Sequence, residues 1–242
     1  MKLSKTEITK LYNILHTATL GGIEALVFQE TSIGIVSGIN LGSVAIIARD
    51  DLPVFPQKMG LTRITSLKKR LDLLINEKEL TVEAKESERG EIAQLEFVAG
   101  KAKTQYRCTG TVLIKGPKEV NDGALIGRIT ISKDQLAMIF NAIKVMNAAQ
   151  MILIIKEDGT VIFEVTDSND KFTVELDTPV DRSDAEEVES GVYYYQSAIF
   201  SNLLKAAIGG GESISMNIGI SGTIQFPLNN CEMSLFAQID GE

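Results

Sequence analysis

Lys5, Thr9, Asn13 and His16 are spaced to fall on one track of a helix, and Lys133, Ala137, Asn141 and Lys144 repeat that track 128 residues later. Basic, small, amide, basic-or-His is a pattern suited to holding phosphate oxygens. Lysine supplies a point charge, and neither track carries an aromatic residue on which a base could stack. Lysines of this kind contact a nucleic-acid backbone without reading its sequence. Base readout asks for Arg, Asn or Gln converging on a groove. Lysine on the wet face of an ordinary helix looks the same, so charge segregation and placement have to decide.

Catalytic and metal chemistry has no comparable pattern. The sequence contains no CxxC, HExxH, GxSxG or P-loop motif. His16 has no Ser or Cys at a motif spacing, so it reads as a surface or phosphate-facing residue rather than a base. Asp and Glu are abundant, but no pair stands out as a general acid and base. Gly209-Gly210-Gly211 follows a helical segment instead of opening one, which favours a helix stop over a phosphate cradle. The acidic run 181–190 reads as a solvated loop in preference to a metal site. Tyr193-Tyr194-Tyr195 alternates within a strand, where sheet packing is the default and a base-stacking surface the other reading. One histidine with Cys108 and Cys231 cannot build a structural zinc site without several carboxylates. The two thiols suit buried groups in a reducing cytosol better than a disulfide. These features describe a non-enzyme with no metal or cofactor.

Two capping boxes organise the elements that carry the basic tracks. Ser4 with Glu7, and Ser132 with Gln135, open helices over 4–20 and 132–149. Behind them Ile8, Tyr12 and Leu15 align with Leu136, Phe140 and Ile143. A repeat at this period in a chain of 242 residues predicts a duplicated domain. At 44% hydrophobic content, each half can bury a core of its own. Strands are expected at 23–30, 32–38, 43–50 and 61–64, with an apolar loop at 39–42. A second helix, capped by Thr65 or Ser66, is expected to run to about Ile75 with Leu67, Leu71 and Leu74 inward, followed by three strands. After the Pro- and Gly-containing stretch near 115–125 the plan restarts, with a hairpin turning at Asp158-Gly159 and a short helix over 197–208. The expectation is an α+β protein of antiparallel sheets with two helices per domain on one side. Its parts are a domain 1–114, a linker 115–126 and a domain 127–242. Met1-Lys2-Leu3-Ser4 runs straight into the first helix, so no signal peptide is expected, and no apolar run approaches the roughly 20 residues of a membrane span.

The formal net charge of −8 argues against a nucleic-acid partner only if the charge is evenly spread. It is not. The four helices carry +1, +2, +1 and +1, which leaves −13 for everything else.

Two copies of this plan, acidic overall with basic helices, resemble the DNA polymerase sliding clamps. These are the proliferating cell nuclear antigen of eukaryotes and archaea and the processivity clamps of tailed bacteriophages. The opening Met1-Lys2-Leu3-Ser4-Lys5, the short chain and the short linker look most like the phage type. The resemblance covers the whole chain as a pattern and rests mainly on the duplication. It implies a homotrimeric ring, with sheets outside and helices lining a hole threaded by double-stranded DNA of any sequence. It also implies work in the host cytoplasm as a processivity factor that tethers DNA polymerase and is opened by a clamp loader. The implied DNA-facing residues are Lys5, Lys10, His16, Lys68, Lys69, Arg70, Lys133, Lys144 and Lys205, with Asp72 and Asp134 as departures. The strands at 103–111 and 170–178 are nominated as the free edges that ring closure would cover. The implied partner-peptide pocket comprises Leu41, Val44, Leu125, Ile126, Leu235 and Ala237. For Val44 and Ile126, ordinary core is the competing reading. The rival functions are a DNA-binding processivity factor that forms no ring and an acidic β-rich protein-interaction module.

Overall fold

The computed structural model describes residues 2–30, 36–40, 44–48, 53, 55–114, 124–167, 170–186, 189–209, 211–228 and 231–238. The chain divides into two compact units, Met1–Val120 with Leu228–Glu232, and Asn121–Pro227 with Met233–Glu242.

Unit 1 runs β1 (Lys2–Leu3), α1 (Lys5–Leu20), β2 (Ala25–Phe28), β3 (Val36–Asn40), β4 (Val44–Ala48), β5 (Met59–Thr62), α2 (Ile64–Asp72), β6 (Thr81–Glu86), β7 (Ile92–Ala99) and β8 (Ala102–Arg107). Unit 2 runs β9 (Leu125–Ser132), α3 (Lys133–Met146), β10 (Gln150–Ile155), β11 (Val161–Thr166), β12 (Lys171–Glu175), β13 (Gly191–Gln196), α4 (Ser197–Ile208), β14 (Ser213–Gly219) and β15 (Ile224–Leu228), and ends in β16 (Cys231–Leu235), whose first two residues fall with unit 1. In unit 1 the strands lie in the orders β5-β2-β3-β4 and β1-β6-β7-β8. Adding eight to each number gives the orders of unit 2, β13-β10-β11-β12 and β9-β14-β15-β16. The duplication expected from the helix caps is thus repeated in the strand topology. β8 and β12 each pair with one neighbour, β7 and β11, and are edge strands in their units.

Both capping boxes form. Ser4 Oγ accepts from the Glu7 N–H at 3.3 Å, while the Ser4 N–H donates to Glu7 Oε2 at 2.7 Å. Ser132 and Gln135 repeat the exchange at 3.3 and 3.1 Å. Each box satisfies donors that a helix start leaves open. The α1 face of Ile8, Leu11, Ile14, Leu15 and Ala18 is buried. In unit 1 the core continues through Phe28 and Phe55, whose rings meet edge-on at 5.6 Å. In unit 2 the rings of Phe163, Tyr195 and Phe226 lie 5.7, 5.8 and 6.2 Å from that of Phe200.

Several elements depart from expectation. α3 stops at Met146, because Asn147 adopts a left-handed conformation (φ 48°) and its N–H closes the last turn on the Ile143 carbonyl. α2 begins at Ile64 behind a left-handed Arg63, with no side-chain cap from Thr65 or Ser66. The Glu24 carboxylate takes that role, accepting from the Thr65 N–H at 3.3 Å and from the Thr65 hydroxyl. The same reversal at Arg63 ends β5 at Thr62, earlier than the expected strand at 61–64. α2 also ends at Asp72, although the chain turns on through Leu74 and Ile75, which both bond the Leu71 carbonyl. Ile39 and Asn40 belong to β3 rather than to a loop. Leu125 and Ile126, the last residues of the expected linker, lie in β9, and residues 115–123 fall outside the described set.

Candidate nucleic-acid interface

In unit 1 the basic residues are carried by α1 and α2, which pack against each other. Tyr12 on α1 donates its hydroxyl to Asp72 Oδ1 at 2.7 Å. Lys68, one turn before Asp72 on α2, donates to both Asp72 oxygens at 2.9 Å, and its ammonium lies 5.3 Å from the centre of the Tyr12 ring. His16 stacks on the same Tyr12 ring, the two centroids 6.4 Å apart and the planes nearly parallel. The cluster is largely self-neutralised. The Tyr12 hydrogen bond and then Lys68 hold the Asp72 carboxyl below its usual range. Burial opposes the Lys68 charge, but hydrogen bonds to Asp72 and Tyr12 more than offset it and raise its pKa. Burial, helped by the Lys68 charge, lowers the pKa of His16, whose Nδ1 is buried without a partner among the described residues.

The other expected DNA-facing residues of unit 1 are spread out. Lys5 donates to the Glu77 carbonyl at 3.3 Å, and Arg70 donates to the Gln105 carbonyl on β8 at 3.1 Å. Lys10 is half-buried, while Lys69 is exposed. Lys68 is therefore a poor candidate for a phosphate contact, since Asp72 already occupies its ammonium.

Unit 2 differs at the corresponding place. The Lys205 ammonium on α4 lies 4.9 Å from the centre of the Phe140 ring on α3. Beside it is a groove of about 440 Å³ lined by Asn141, Lys144, Ser201, Asn202 and Lys205. Lys144 and Lys205 are thus brought together, whereas Lys133 stands apart, 3.8 Å from Glu212 in an exposed pair. Asn202 and Ser201 carry no signal in the sequence. They become visible only once α4 is laid against α3.

Two of the six residues expected in the peptide pocket are core. Ile126 and Leu235 are each 1% exposed, so neither can meet a peptide without unpacking. Leu125 and Ala237 are half-buried, the Val44 side chain lies outside the described residues, and so does Leu41. The tyrosine run is sheet packing. Tyr193 and Tyr195 are buried, and the Tyr195 hydroxyl donates to the Gly222 carbonyl. Cys108 is a free thiol that burial pushes up to about 12, and the Cys231 side chain lies outside the described residues. Among the described residues, no three His, Cys, Asp or Glu side chains converge as metal ligands. No helix among them is long and apolar enough to cross a membrane.

No protein-family model and no curated protein matches the sequence. Solved structures do match. The chain is similar to the DNA polymerase III β subunit of Pseudomonas aeruginosa at 13% identity and a TM-score of 0.65. That match covers 100% of this chain and spans 65% of the length of the Pseudomonas chain. It is similar to A. fulgidus PCNA, in a structure with the C-terminal region of FEN-1 bound, at 12% identity and a TM-score of 0.61. Here 100% of this chain and 98% of that one are covered. A PCNA2–PCNA3 complex from Sulfolobus tokodaii matches at 12% identity and a TM-score of 0.59, over 98% of this chain and 99% of that one. With two copies of one α+β plan and full coverage in these comparisons, the chain has the fold of the DNA sliding clamps.

Proposed function

We propose that this protein is a processivity factor for DNA replication, a non-catalytic sliding clamp that closes into a homotrimeric ring around duplex DNA. The observation that carries the reading is that β8 and β12, at the ends of their sheets with β1 and β13 at the opposite ends, each pair with one strand among the described residues. An open edge is a template for pairing with another chain. Two different edges on one subunit suit a head-to-tail contact, and such contacts close into rings when the rotation permits. The segregated charge supports the same reading. Basic helix pairs would hold duplex DNA weakly, through phosphates, and acidic surfaces elsewhere would repel it. Topology then replaces affinity, so the protein can slide and stay bound.

In this role the protein tethers the replicative polymerase and other replication proteins and depends on a clamp loader for opening. The A. fulgidus PCNA structure, with a C-terminal region of another protein bound, supports docking of partners through short peptides. Leu125 and Ala237 are the accessible members of the expected pocket.

The test is topological. Protein loaded onto nicked circular DNA should co-elute with it and be lost when one restriction cut linearises the circle. Equal retention on circular and linear DNA would contradict encirclement and favour a processivity factor that binds without a ring.

A further inference from the structure

The two units present the same helix pair in different electrostatic states, neutralised in unit 1 and positive in unit 2. α1 and α3 correspond through their capping boxes, which sets Tyr12 against Phe140, Asn13 against Asn141 and His16 against Lys144. α2 and α4 correspond through their buried positions, with Leu67 and Leu71 matching Phe200 and Leu204. That register sets Lys68 against Ser201 and Asp72 against Lys205. In unit 1 the long Lys68 side chain lies across the Tyr12 ring and is neutralised by Asp72. In unit 2 the serine leaves that space open as the groove, and the carboxylate is replaced by a second lysine. Phe140 lacks the hydroxyl that Tyr12 uses to bind Asp72.

Resting on the clamp reading above, we propose that the α3–α4 groove of unit 2 is the principal phosphate seat for the DNA backbone, and that the matching place in unit 1 contributes little. Three observations meet there. Lys144 and Lys205 line the groove, and no carboxylate does. Asn141 and Asn202 add amide donors, the uncharged groups that commonly position a phosphate. Ser201 is 7% exposed, and its hydroxyl has no hydrogen-bond partner among the described residues. A buried hydroxyl is normally paired, so a donor left open beside two cations points to an acceptor oxygen from outside. At this place in the helix pair the duplex is then held by the C-terminal half of each subunit, and sequence plays no part in it.

The probe is a labelled random-sequence duplex of about 30 base pairs, titrated with the full chain by fluorescence anisotropy between about 50 and 200 mM salt. Each phosphate contact adds about 0.9 to the slope of log affinity against log salt. Lys144→Ala with Lys205→Ala should lower that slope by about 2, so that the wild-type advantage shrinks roughly tenfold across the range. Lys68→Ala should leave the slope within about 0.3 of wild type, because its charge is already spent on Asp72. Both groove lysines are exposed, and Lys144→Gln with Lys205→Gln serves as the second variant should the alanine pair fail to fold. Equal slopes for the unit 1 and unit 2 variants would overturn the asymmetry while leaving the clamp reading standing. If wild-type protein shows no salt-dependent duplex binding, the phosphate seat falls, while the clamp reading is decided by retention on circular against linear DNA.

Discussion

Lys103 on the edge strand β8 reaches back to Glu96 on β7, its ammonium 2.7 Å from Oε1. Lys85 on β6 and the amide of Gln105 on β8 meet the other oxygen at 3.2 and 2.8 Å. One carboxylate, 7% exposed, thereby ties three strands together and fixes the outermost. Unit 2 has a parallel device at its own edge, where Lys171 on β12 pairs with Glu164 on β11. A carboxylate held in this way ties an edge strand to its neighbour.

The Glu96 pairing makes stability depend on pH in a definite direction. Lys103, Gln105 and Lys85 hold the carboxyl at about 2, below its ordinary value of 4.5. The charged form is favoured by folding, so its contribution is complete above 4.5 and is lost as pH falls toward 2. Denaturant midpoints of wild type should fall across that window. Glu96→Gln should start lower and vary less, and parallel curves for the two proteins would show that the carboxylate is not coupled to folding.

The two capping boxes should contribute equally. Ser4→Ala and Ser132→Ala each remove a hydroxyl that accepts a backbone N–H. Each should cost about 1 kcal/mol in equilibrium unfolding. A cost near zero at one of them would mean that water serves that helix start as well as the serine does.

Phe200 is fully buried and touches three other aromatic rings. Phe200→Ala should destabilise the protein by about 3–5 kcal/mol through lost burial and a cavity. Val145, 84% exposed on α3, is the control. Its alanine variant should stay within about 0.5 kcal/mol of wild type.

The repeat and the caps were legible because each is encoded locally, whereas the two edges were nominated by resemblance. A serine three residues before Glu or Gln announces a helix start, and alternation announces a strand. What escaped was carried by distant partners. The cap of α2 comes from Glu24, 41 residues before Thr65, so no local pattern could reveal it. The Lys68–Asp72 spacing was readable as an i,i+4 pair, but the Tyr12 ring beneath it was not. The groove lined by Ser201 exists only because a short side chain replaces a long one at a matched position in the second copy. Ile126 and Leu235 were nominated for a peptide surface by resemblance, and burial removes them. Apolar residues in a groove and apolar residues in a core have the same sequence signature.

His16 reports on the unit 1 cluster directly. Burial first, and the Lys68 charge second, lower its pKa, while Asp72 works against them. Titration followed by NMR should place wild type below 6.5. Lys68→Ala should move it up and Asp72→Asn should move it down. Shifts in the reverse directions would contradict the arrangement of the three side chains.

The claim on which the function depends is closure of a ring through β8 and β12. Mass in solution at micromolar concentration, by sedimentation or native mass spectrometry, tests it most directly. The account predicts one species at three times the 26.3 kDa chain mass, reduced to single chains by proline at Arg107 on β8 or Thr173 on β12, whose N–H groups face away from β7 and β11. A wild-type mass of one or two chains, unchanged by either substitution, would contradict it.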